Sequence, residues 1–305
     1  MKLPTSQFVS ALRRALQLDV LKESIARLER DNLRLREALG RIESRQLALQ
    51  PPTELREAEF RVFSQWGEDG ILDWLTGLVP MPRKVFVEFG VEDYVEANTR
   101  FLLTQRGWSG LVLDGSEEHV RRIRNGHDFW RHHLVAAAAF VTRENINELI
   151  AANGITGPIG VLSIDIDGND YWVWEAIDTI VPAIVVVEYN AIFGPERCVT
   201  VPYDPQFVRS RAHWSCLYAG ASLGALVALG RRKGYAFVGT NSAGNNAFFV
   251  RRELCPTVLR ELTASEGFTP AQFRESRNES GELTYLTAER GAELISHLPV
   301  VEVPT

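Results

Sequence analysis

Between residues 18 and 49, hydrophobic residues recur at alternating spacings of three and four. In heptad terms Leu18, Ile25, Asn32, Leu39 and Gln46 take position a, and Leu21, Leu28, Leu35, Ile42 and Leu49 take position d. The d line is wholly aliphatic, and both polar breaks fall at a. A buried Asn at one a position favours parallel, in-register pairing, because the two amides can bond across the seam. Asp31 at g and Arg36 at the next e would attract between chains. The pattern predicts an N-terminal helix over residues 1–50, self-associating through residues 18–49 as a parallel coiled coil. A dimer is expected, with a trimer as the main competitor. The alternative is a long amphipathic helix lying on its own domain. Pro51-Pro52 ends the helix, and residues 51–59 read as a stiff linker.

From residue 60 the pattern changes to short apolar, β-branched runs alternating with helical stretches. Strands are predicted at 85–89, 111–114, 133–137, 160–165, 184–188, 236–239 and 247–251. Helices are predicted at 67–78, 96–106, 117–125, 143–153, 170–177 and 221–233. Five β/α repeats come first, then a helix and two strands joined by the Gly/Asn loop Thr240–Asn246, which read as an antiparallel hairpin. Parallel strands closed by such a hairpin form the layout of a Rossmann-like class I methyltransferase sheet. The fold class is therefore α/β, with that domain over residues 60–255. Residues 256–305 are polar and weakly patterned, and read as a peripheral C-terminal helix and tail.

The chain has 305 residues, 45% of them hydrophobic, enough for one large α/β domain plus an appendage. A formal net charge of −6 argues against nucleic acid as a partner. Three scattered cysteines make neither a disulfide framework nor a zinc site. No apolar run is long enough to span a bilayer, and no signal peptide is visible, so a cytoplasmic enzyme is expected.

The chemistry gathers at the predicted strand tips. Val85–Gly90 and Leu111–Gly115 each end in an acid and a glycine, one helix apart. In a parallel sheet, ligands sit at the carboxyl ends of the strands. The first turn carries one glycine, Gly90, where a dinucleotide fingerprint needs three. That suits a cofactor without a pyrophosphate, and S-adenosylmethionine fits, with Glu88 near its cationic groups. Asp114 can accept both ribose hydroxyls, with Gly115 and Ser116 beside it; the alternative is a plain helix cap. Ser163–Tyr171 crowds Asp165, Asp167 and Asp170 at the fourth tip, and the fifth ends in Glu188-Tyr189-Asn190. Asp165 or Asp167 could serve as a base. Asp165, Glu188 and Asn190 make an all-oxygen set suited to magnesium or calcium. The alternative is a turn at Asp167-Gly168-Asn169, with Asp170 capping a helix. Phe63–Gly70, with Gln65 in it, suggests a loop over the cofactor. Of the histidines only His213 stands where a substrate base is needed. Trp172 and Trp174 read as core.

These residues also resemble the FkbM-type methyltransferases. The match runs through FVEFG…EANTRFLL…GWSGLVLDGS, then LSIDIDGNDYWVWEAI and VVVEYN, over roughly residues 60–252. FSQWGEDGIL and NSAGNNAFFV resemble a subgroup associated with surface-polysaccharide synthesis. The resemblance implies O-methyl transfer, often to a sugar hydroxyl. By position it puts Glu88, Gly90 and Asn98 by the methionine part of the cofactor, Asp114 at the ribose and Asp165 at the reacting centre. The turn after Gly90 departs from the family: it reads Val-Glu-Asp-Tyr, where many members carry a second glycine. The expected function is an S-adenosylmethionine-dependent O-methyltransferase acting on a surface polysaccharide or glycosylated precursor. Its rivals are a nucleotide-sugar-modifying enzyme and a non-catalytic scaffold on a degenerate methyltransferase domain.

Overall fold

A computed structural model describes the backbone of residues 5–305 and the side chains from residue 17 onward. The chain opens with helix α1 (Thr5–Leu49) and continues through α2 (Glu68–Leu78), β1 (Val85–Phe89), α3 (Arg100–Arg106), β2 (Ser109–Asp114), α4 (Glu117–Asn125), α5 (His127–Arg131), β3 (Leu134–Ala138), α6 (Ile146–Ala152) and β4 (Gly157–Ile164). Then come α7 (Asp170–Ala176), β5 (Ile180–Glu188), β6 (Val199–Thr200), α8 (Arg209–Ala212), α9 (Leu223–Arg232), β7 (Tyr235–Thr240), β8 (Asn246–Arg251), α10 (Ala264–Gly267), α11 (Ala288–Ile295) and β9 (Val301–Glu302).

The main sheet has seven strands in the order β3-β2-β1-β4-β5-β8-β7. The pairings from β3 to β5 are all parallel; β8 runs antiparallel to both its neighbours, β5 and β7. This is the mixed α/β layout the apolar runs predicted. Central strands need apolar residues on both faces, and β5 supplies them as the run Ile184–Val187, all fully buried. Pro182 interrupts no ladder on the β8 side, because pairing with β8 begins only at Ile184. Side chains of α2, α3 and α4 cover one face of the sheet, and those of α6, α7 and α9 cover the other. Trp174 is core, 1% exposed.

Helix α1 leans on this domain by one narrow face. Leu33 and Leu47 pack with Phe60, Val62, Phe63 and Phe101. Arg36 donates to the carbonyl oxygen of Val62, Arg41 Nη1 donates to Gln105 Oε1 at 2.8 Å, and Arg106 donates to Ser44 Oγ. Gly40 lets the two bodies meet: a β-carbon there would lie 2.4 Å from Val62 Cγ2. The heptad line lies on a different face. Leu18, Leu21, Ile25, Leu28, Leu35, Leu39, Ile42 and Leu49 are 46–83% exposed. Among the described residues no helix is long and apolar enough to cross a membrane.

The C-terminal segment does more than trail at the periphery. Its end returns to pair β9 with β6, and Phe273–Tyr285 folds over the tips of the main sheet.

Candidate active site

The carboxyl ends of β1, β2, β4 and β5 open into one cleft of about 710 Å³. Glu88, Gly90, Asn98, Asp114, Gly115, Asp165, Asp167 and Glu188 all line it, and so does Gln65. The acids at the ends of four separate strands therefore converge on one rim, as their positions at the ends of apolar runs predicted.

The first turn is built by close approach. Gly90 has φ +71°, and a β-carbon on it would lie 1.6 Å from the backbone oxygen of Asp165. Only glycine tolerates both conditions. Glu88, 4% exposed, turns its carboxylate to the start of α3. It accepts from the Asn98 N–H at 2.8 Å, the Thr99 N–H at 3.1 Å and the Thr99 hydroxyl. Burial pushes the Glu88 carboxyl up to about 6, and the bonds from Thr99 and Asn98 limit the rise. Asn98 Nδ2 donates to Ser163 Oγ at 3.1 Å, tying this turn to β4. Of the Val-Glu-Asp-Tyr turn after Gly90, Val91 and Glu92 line the cleft, whereas the bulkiest residue turns away from it. Tyr94 adopts φ +63° and is buried in the core under α2 and α3, its hydroxyl 2.9 Å from Thr99 Oγ1.

At the second tip Asp114 is 8% exposed. Its Oδ2 accepts from the Glu92 N–H at 2.8 Å, and its Oδ1 from the Ser116 N–H at 2.8 Å, with His119 Nδ1 3.1 Å away. Each carboxylate oxygen has acceptor capacity beyond these partners. Ser116, not Asp114, caps α4, accepting from the His119 N–H at 3.3 Å. Ser116 stands outside the cleft, which corrects its assignment as a cofactor contact.

The fourth and fifth tips form an acidic cluster. Ile164 pairs with Val187, so Asp165 and Glu188 follow on adjacent parallel strands. A carboxylate oxygen from each of Asp165, Asp167 and Glu188 lies within 4.8 Å of the others. Asp170 holds the turn, accepting from the Ile166 and Gly168 N–H groups at 2.9 Å each. It is the first helical residue of α7 rather than its cap, which is Asn169. Burial raises the carboxyl groups of Asp165 and Glu188 well above the usual range, and the charges of Asp167 and Asp170 add to it. Arg209 Nη1 bonds Asp167 Oδ1 at 2.7 Å and supplies the counter-charge.

Asn190 stands apart from this cluster. Its amide donates to the carbonyls of Leu217 and Ala219 at 2.8 and 2.9 Å, and its oxygen accepts from the Ile192 N–H. The metal set read as Asp165, Glu188 and Asn190 is therefore corrected: Asp167 takes the third place, already paired to a guanidinium. His213, likewise outside the cleft, bonds Ser215 Oγ at 2.7 Å; the loop after β5 contributes Arg209 instead.

The roof joins both ends of the domain. Asp69 gathers the N–H groups of Val62, Phe63 and Ser64 on one oxygen at 2.7–2.8 Å, fixing the loop that carries Gln65 and Trp66. Glu68 Oε1 accepts from Asn241 Nδ2 at 2.7 Å and Asn246 Nδ2 at 2.9 Å, so FSQWGEDGIL and NSAGNN touch. Trp66 stacks on Phe273 with centroids 5.6 Å apart. Phe207, Phe273, Arg274 and Tyr285 also line the cleft, and sequence reasoning passed over all four. Their segments carry no period, and nothing local marks them.

No family model and no curated protein matches the chain. Among solved structures it superposes on the N-terminal domain of EvdMO1 with SAH bound at a TM-score of 0.39 and 14% identity, over 69% of this chain and 94% of that one. The O-methyltransferase from Bacillus cereus in complex with SAH gives 0.32 and 14%, over 55% and 74%. TrmK from M. capricolum in complex with S-adenosyl-homocysteine gives 0.34 and 11%, over 68% and 77%. Likenesses this loose carry no functional argument, and the fold class stands on the strand order itself.

Proposed function

We infer that this chain is an S-adenosylmethionine-dependent O-methyltransferase of the FkbM type, acting on a sugar hydroxyl of a polysaccharide or glycosylated precursor. One observation carries the reading: Glu88 occupies the N–H groups at the start of α3. A dinucleotide enzyme keeps those groups for a pyrophosphate. Here a protein carboxylate already sits on them, so an anionic group is repelled and a phosphate-free, cationic cofactor is favoured.

The residues present fit that cofactor. Asp114 retains acceptor capacity for two ribose hydroxyls, and Phe140 and Val141 offer apolar walls for a base. When bound, the sulfonium supplies an electrophilic methyl group. The chain's own part is to align the acceptor, exclude water and take one proton. The Asp165–Glu188 pair sits at the reacting end and, with one proton between two close carboxyls, keeps one oxygen as base. Arg209 keeps the cluster from excess negative charge. Aromatic faces at Phe207, Phe273 and Tyr285 beside the amide of Asn246 suit a polyhydroxylated ring. Magnesium is a poor fit, because Arg209 already balances Asp167 and Asn190 faces elsewhere. A reducing, cytoplasmic setting agrees with Cys198, Cys216 and Cys255, none of them in a disulfide.

Calorimetry on the purified chain tests this, titrating S-adenosylmethionine, S-adenosylhomocysteine, NAD and a nucleotide sugar in turn, with and without a chelator. Binding of the first two alone, unchanged by the chelator, is expected. Absence of both sinks the reading, and binding of the nucleotide sugar alone favours the rival enzyme. Cofactor binding without methyl transfer to any extracted glycan favours the scaffold.

A further inference from the structure

Helix α1 carries two separate faces, and among the described residues one of them packs on the domain while the other is exposed. The inward face, through Leu33, Arg36, Gly40, Ser44 and Leu47, packs on the domain. The heptad seam lies about a third of a turn away round the helix. Its eight large aliphatic side chains stay at least 46% exposed. A contiguous apolar stripe of this kind on a water-exposed helix marks an interaction surface.

We propose that the seam of α1 between Leu18 and Leu49 is a self-association surface, on which a second copy of this chain packs in parallel and in register. Three observations name the occupant. First, the seam is polar at Asn32 and Gln46, both at position a. Only an identical, in-register strand puts amide against amide at both; an antiparallel strand puts each against an aliphatic d residue. Second, the flanking charges allow it. Asp31 and Arg36 are opposite in sign, with Arg36 held by the Val62 carbonyl of its own chain, and the remaining g-to-e pairs (Ser24–Glu29, Ala38–Glu43 and Arg45–Gln50) bring no like charges together. Third, the area suffices. Burying each aliphatic side chain removes on the order of 60–120 Å², so two seams bury roughly 1,000–2,000 Å². A specific, stable interface needs roughly that much. Asn32 at a, with Ile25 at a followed by Leu28 at d, favours two strands over three.

The arrangement has a structural consequence. Among the described side chains the domain contacts α1 between Leu33 and Leu47 and leaves the seam open. The loop bonded to Arg36 runs from Val62 straight into Gln65 and Trp66 of the cleft. The paired helices therefore set the orientation of both clefts.

Light scattering on the full chain at micromolar concentration tests this. Twice the chain mass of 34.2 kDa is expected. Replacing Leu28 and Leu35 together by Asp should halve that mass while the domain still melts cooperatively. Leu21→Cys should form an interchain disulfide on mild oxidation that the parent chain does not form. A single-chain or threefold mass overturns the proposal. So does a doubled mass that survives the Asp substitutions, or one that Leu21→Cys fails to cross-link.

Discussion

A β-carbon at Gly90 would stand 1.6 Å from the backbone oxygen of Asp165, so β1 and β4 leave the sheet in mutual contact. The cofactor half and the acceptor half of the cleft share that contact. Gly90→Ala must move one strand end and also hold an L-residue at φ +71°. A destabilisation of about 3 kcal/mol or more is expected by chemical denaturation, together with loss of cofactor binding. An unchanged midpoint would show that the turn is looser than this geometry.

Glu88 makes a testable contribution to the pH dependence of stability. Its folded carboxyl is raised from 4.5 to about 6, so between those values the folded chain holds more proton than the unfolded one. Its contribution is then full below about pH 4.5 and is lost as pH rises through about 6. Glu88→Gln removes that titration. Relative to the variant, the parent chain should lose about 2 kcal/mol over this window, read from unfolding midpoints at several pH values. A parallel pair of profiles would show that Glu88 stays charged throughout.

Asp114 and Ser116 stand two residues apart and should part company in experiment. Asp114→Asn removes a charged acceptor, and S-adenosylmethionine affinity should fall about tenfold or more. Ser116→Ala should leave affinity within about twofold and cost about 1 kcal/mol of stability, as the loss of a helix cap does. The reverse pattern would move the ribose contact from the strand tip to the cap.

Loss of a proton from the Asp165–Glu188 pair favours a cationic ligand over a neutral one. From about pH 6 to about pH 9, affinity for the sulfonium donor should rise relative to its neutral thioether product. Asp165→Asn should flatten that ratio. Equal slopes in parent and variant would place the pair away from the sulfur.

Arg209 stabilises the charged forms of these carboxylates. Arg209→Gln should therefore move the same profile to higher pH and weaken methyl transfer by about tenfold or more. A shift to lower pH would show that its bond to Asp167 serves only to fold the loop.

The sheet was legible because its strands are central and apolar: Val85–Phe89 and Ile184–Glu188 show at once, and the acids at their ends mark the tips. Glu88, Asp114 and Asp165 could be placed on one rim from that pattern alone. Which way each carboxylate turns was not legible. Glu88 turns to α3 and Asn190 to the Leu217 and Ala219 carbonyls, choices made by the nearest backbone donors and acceptors after folding. Arg209 reaches the cleft from the start of the four-residue helix α8, and Phe273 and Tyr285 from irregular segments, where residue type has no periodic context. The heptad on α1 announced a helix. Only the fold separated its two faces, since Gly40 and Ser44 look like ordinary surface positions until Val62 and Arg106 are seen against them.

Glu68 and the stacked rings of Trp66 and Phe273 bind early and late parts of the chain into one roof. During synthesis the floor, made by residues 88–188, emerges well before the covering from β8 and the segment beyond it. A ribosome-bound chain halted near residue 260 would lack the Phe273–Tyr285 cover of the cleft altogether. Closure of the cleft thus awaits residues 273–285, which follow the sheet in the chain.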